Sequence, residues 1–126
     1  MKILVIGLGG FLGSTARYIL SGVVQSLTGS ISFPYGTLAV NLIGCILIGF
    51  FSQLSETRGF LTELSRAFIV VGILGGFTTF SAFGNESFNL LRSGETNLAL
   101  ANILGQIVIC LTGVWLGRVM AYSIWR

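Results

Sequence analysis

From Tyr18 to Ser55 the chain carries no charged side chain, and Ala67 to Asn85 and Thr96 to Gly117 are two more such runs. A helix needs about 20 mainly apolar residues to cross a hydrocarbon core of about 30 Å. The first run is long enough to cross and return. It is punctuated at Gln25 to Pro34, QSLTGSISFP, where small polar residues, a glycine and the only proline read as a turn. The pattern predicts an all-α membrane protein in one domain, 1–126, with four transmembrane helices at about 3–24, 35–54, 64–91 and 97–122. The other connections, SETRGFLTE and RSGET, are also short, so neighbouring helices run antiparallel and both termini share one side.

Only 9% of the residues are charged and 53% are hydrophobic, where a soluble domain carries about 25% charged residues. Lipid is therefore the expected partner of the surface. The basic residues are scattered, and nucleic-acid binding requires them clustered on one face. Histidine and aspartate are absent, which removes Ser-His-Asp triads and the usual metal sites, and no nucleophile–base pair stands in for them. The chain is not expected to be an enzyme. Two alternatives for the N-terminal segment fail. A signal peptide would end at a small-residue cleavage site, yet the apolar pattern continues past Arg17. A dinucleotide fingerprint needs G-x-G-x-x-G and an acidic residue about 20 positions on, but position 12 is leucine and the first carboxylate is Glu56.

Glycines fall inside the helices. Gly9 with Gly13, Gly72 with Gly76 and Gly113 with Gly117 form three G-x-x-x-G pairs, which let membrane helices approach closely. They suit packing within one subunit or against a second copy. Arg17 lies inside the first helix, where a cation costs about 2.5–3.5 kcal/mol on insertion scales. It either faces water or a partner, or snorkels to the nearer interface. Thr37, Asn41 and Cys45 share one face of the second helix, and Asn102, Gln106 and Cys110 one face of the fourth. Such polar stripes serve either as a donor-lined pathway or as interhelical hydrogen bonds. Each cysteine by itself reads as a small buried hydrophobe.

The third helix holds GILGGFTTFSAFGNE, Gly72 to Glu86. Paired glycines followed by paired threonines form helix poorly, so a mid-membrane break is expected near 75–79. The freed carbonyls need a partner that hydrocarbon does not supply: a hard cation, or the threonine hydroxyls. Phe80 and Phe83 follow on one face. They pack as ordinary apolar residues, or present their positive ring edges to an anion.

These segments together resemble the CrcB/Fluc family of fluoride channels. The likeness runs through GGFLGSTARY (Gly9 to Tyr18), GTLAVNLIGCILIG (Gly36 to Gly49) and GGFTTFSAFGNE (Gly75 to Glu86). It implies a multi-pass protein of the bacterial cell inner membrane that passes fluoride passively, as an antiparallel dual-topology homodimer. It implies a structural sodium ion on the backbone carbonyls of Gly75 and Thr78, a fluoride pore at Phe80, Phe83, Asn41, Thr37 and Glu86, and a vestibule arginine at Arg17. Asn102, Gln106 and Cys110 would form a polar track. The chain departs from the family at Gly84, where serine is frequent. Charge alone moderately favours one orientation and does not support dual insertion. The side with the termini holds Lys2, Arg58, Arg66 and Arg126, with Arg118 near it, against Arg92 and Arg17 on the other. The competing function is a small transporter or assembly subunit without fluoride conduction. A proton-coupled cation exporter would need a membrane-embedded carboxylate in the first helix, where this chain has arginine.

Overall fold

The computed structural model describes residues 1–124; Arg126 lies outside the described residues. Among these residues there are only helices and connections. Helix α1 runs Lys2–Thr28 and α2 runs Tyr35–Arg58. The third span, Glu63–Arg92, is composite. It consists of α3 (Glu63–Arg66), a π-helical stretch (Ala67–Leu74), α4 (Gly75–Phe77) and α5 (Phe80–Arg92). Helix α6 runs Thr96–Ile124. All four spans are long and apolar enough to cross a membrane.

Local chemistry sets the helix ends. Gly29 and Gly59 close α1 and α2 with φ of 63° and 57°, a left-handed conformation that costs other residues more. Thr62 caps α3 by accepting from the Ser65 amide at 3.2 Å. The connection after α1 is held by a side chain that sequence reading passed over. Gln25 Nε2 donates to the carbonyls of Ser30 (2.6 Å) and Phe33 (3.0 Å), while its Oε1 accepts from the Gly36 amide at 3.0 Å. One amide thus ties both ends of the turn to α1, which runs a turn longer than expected.

The glycine pairs are all used within the chain. A Cβ at Gly9 would come 3.0 Å from Gly72 Cα, and one at Gly76 would come 2.6 Å from the Gly10 carbonyl. Gly13 meets the Ile73 carbonyl and Gly117 the Ile46 carbonyl more closely still. So α1 packs on the first half of the third span, while α2 packs on α6. The buried polar residues Thr37, Asn41, Ser87, Asn102 and Gln106 all lie between α2, α5 and α6. Among the described residues, two ion pairs close the end that bears the N-terminus: Lys2 with Glu63 at 2.9 Å, and Arg118 with Glu56 in a two-pronged contact at 2.9 and 3.0 Å. Arg118 therefore stands on that side.

Candidate functional site

The third span is interrupted at two residues. The break was expected over about 75–79, but Gly75 to Phe77 remain helical. Extended backbone is confined to Thr78 (φ −80°, ψ 156°) and Thr79 (φ −148°, ψ 116°). The glycines tolerate helix here because α1 packs tightly against Gly76, and the departure comes where β-branched threonines favour extended geometry.

Asn41 holds the interruption open. Its Oδ1 accepts from the Thr79 amide at 2.8 Å, and its Nδ2 donates to the Thr79 carbonyl at 3.1 Å. This side chain substitutes for the helical partners that Thr79 has given up. The same Nδ2 donates to Gln106 Oε1 at 3.1 Å. The threonine hydroxyls complete the work. Thr78 Oγ1 donates to the Leu74 carbonyl at 3.0 Å, and Thr79 Oγ1 caps α5 by accepting from the Ala82 amide at 3.2 Å. The Gly75 carbonyl loses its helical donor. Gly75 would ordinarily accept from the amide four residues on, which is Thr79, and that amide is engaged by Asn41. The Thr78 carbonyl receives Arg17 Nη1 at a long 3.4 Å.

Arg17 extends toward the interruption. Half-buried, it lines an open groove of about 1520 Å³ between α1, the 29–34 connection and α5. Thr37, Thr79, Asn85, Glu86 and Asn89 line the same groove. Thr37 Oγ1 donates to Glu86 Oε1 at 2.6 Å, so a buried hydroxyl fixes the carboxylate at the groove's inner wall. Phe80 and Phe83 meet edge-on, with centroids 5.3 Å apart and planes at 62°. Phe80 projects from the helix bundle with 82% of its surface uncovered.

Two members of the stripe on α6 make interhelical hydrogen bonds. Asn102, fully buried, donates from Nδ2 to Ser87 Oγ at 2.9 Å, and Gln106 pairs with Asn41. Cys110 Sγ donates to Gln106 Oε1 at 3.8 Å. Ser87 was not foreseen. Its signal is its place next to Glu86, on the helix face that meets Asn102.

Four spans around a hydrogen-bonded interruption, with a polar groove leading to it, define a small multi-pass helical membrane protein. The chain belongs to the CrcB family: the family described as "CrcB-like protein, Camphor Resistance (CrcB)" matches residues 4–118. It is 46% identical over 123 residues to a protein of Opitutus terrae named "Fluoride-specific ion channel FluC", covering 96% of this chain and 92% of the relative. A protein of Methylocella silvestris with the same name is 45% identical over 126 residues, covering 98% and 95%. "Fluoride-specific ion channel FluC 3" of Methanosarcina barkeri is 38% identical over 122 residues, covering 97% and 91%.

Proposed function

We propose that this chain is a fluoride-specific channel that lets fluoride leave the cytoplasm passively. It does so as a homodimer of oppositely oriented copies in the bacterial cell inner membrane. The near full-length likeness to relatives named as fluoride-specific channels carries this reading. The site supports it. Arg17 brings unspent N–H donors to the region of the interruption, and the phenylalanines bring ring edges of positive potential. Arg17 at the groove draws anions in without placing a full positive charge at the centre of the path. A bare basic pore would instead favour chloride, which sheds its water more easily than fluoride does.

The uncovered Phe80 ring supports assembly, because on this reading a second copy supplies the other wall of each pathway. Asn41 then acts chiefly by fixing the Thr79 backbone, since both its N–H bonds are already given to Thr79 and Gln106. A structural sodium ion would be held by the carbonyls of Gly75 and Thr78 from each copy. The donors fit: they are neutral oxygens, and that of Gly75 has lost its helical donor. Such an ion would pin the two interruptions together. The reaction is conduction, with no bond made or broken.

The test is efflux from liposomes loaded with fluoride or with chloride. Rapid fluoride release with chloride retained is the expected result. Comparable fluxes of the two ions would refute the proposal.

A further inference from the structure

Among the described residues, three buried side-chain atoms have no hydrogen-bond partner within the protein: Glu86 Oε2, Asn102 Oδ1 and Gln106 Nε2. All three belong to one closed circuit of six side chains. Thr37 bonds Glu86, whose neighbour Ser87 bonds Asn102. Asn102 stands one turn from Gln106 on α6, and Gln106 bonds Asn41. Asn41 stands one turn from Thr37 on α2, which closes the circuit.

The polarity of the free end of Gln106 follows from the bonds already made. The Thr79 amide can only donate, so Asn41 must turn its oxygen toward it. Asn41 Nδ2 therefore faces Gln106, whose accepting end must be Oε1, and the Cys110 thiol donates to that same oxygen. The free end of Gln106 is thus its NH₂, a donor. Glu86 offers a carboxylate oxygen, and Asn102, with Nδ2 on Ser87, offers an amide oxygen. The circuit presents two acceptors and one donor.

We propose that a single water molecule is bound inside this circuit, between α2, α5 and α6, donating to Glu86 and Asn102 and accepting from Gln106. Water is the ligand that matches this set, with two hydrogens to give and a lone pair to receive. An anion would face two oxygens, and a bare cation would face the Gln106 NH₂. Buried waters typically make about three hydrogen bonds to groups that the protein leaves unsatisfied. Asn102 at 0% and Gln106 at 4% exposure are closed to bulk solvent, so only an internal water can serve them. The water links the Glu86 carboxylate to Gln106, and through Asn41 to the Thr79 backbone. Asn102 and Gln106 thereby become positioning residues for the interruption. The assignment does not depend on which ion the protein conducts.

An experimental structure of the full-length protein, purified without fluoride and at a resolution that shows ordered solvent, tests this. One peak within about 3 Å of all three atoms is expected, unchanged when fluoride is added. Direct pairing of the three atoms with one another would overturn the proposal, as would a peak seen only in fluoride. The second measurement is by NMR. The Gln106 side-chain NH₂ should show a cross-peak to a long-lived water in the wild type. The cross-peak should be lost in Asn102→Leu paired with Ser87→Ala, which removes the acceptor without stranding its partner. Its absence from the wild type would equally reject the site.

Discussion

Replacing Asn41 with leucine keeps the side chain's bulk and removes only its hydrogen bonds. The loss falls on defined atoms. The Thr79 amide and carbonyl give up partners at 2.8 and 3.1 Å, and Gln106 Oε1 gives up one at 3.1 Å. Stranding a buried polar group costs about 1–3 kcal/mol in soluble proteins. Interhelical hydrogen bonds in membranes average nearer 0.6 kcal/mol and reach about 1.7, because the separated helices find other partners. Asn41 makes three such bonds from a position only 8% exposed, so a total of about 2–4 kcal/mol is expected. The break should feel most of this, since the α2–α6 contact through Gly117 and Ile46 lies elsewhere. Hydrogen exchange reads it directly. The Thr79 amide should exchange roughly 30- to 1000-fold faster, at about 1.4 kcal/mol per tenfold. Fluoride efflux from liposomes should fall with it. Wild-type protection at Thr79 in Asn41→Leu would refute the clamp. Full protection with lost flux would instead mark Asn41 as a contact for the ion.

Phe80→Ile and Phe83→Ile keep apolar bulk and remove the ring edges; fluoride flux should fall strongly while the assembly survives size-exclusion chromatography, and unchanged flux in both would return the rings to packing. Exchanging sodium for a large organic cation should abolish fluoride flux, and sodium should restore it. Full flux after thorough sodium removal would reject the cation site at Gly75 and Thr78. Gly117→Ala sets a Cβ against the Ile46 carbonyl, where backbone must move; a loss of about 1–3 kcal/mol is expected in thermal unfolding in detergent. The same change at Gly84, where no neighbour lies within 4 Å of a Cβ, should be nearly neutral.

The spans were legible because lipid enforces them. A run such as Tyr18 to Ser55 without one charge has few other folds available, and the turn at Gln25 to Pro34 announces itself by its residue types. The interruption was legible as a region, since Gly75-Gly76-Thr78-Thr79 weakens a helix wherever it lies. Its exact residues were not, because Gly75 to Phe77 stay helical against α1 and Thr79 leaves the ladder for Asn41, 38 positions away in the chain. Spacing placed Thr37 with Asn41 and Asn102 with Gln106, but each pair's partners lie on other helices. Whether Asn102 meets the pathway or Ser87 depends on how α5 and α6 are rotated against each other. Local pattern carries periodicity, which sets what each helix shows on a face. Only packing decides which faces meet, and so which polar atoms are satisfied and which three are left over.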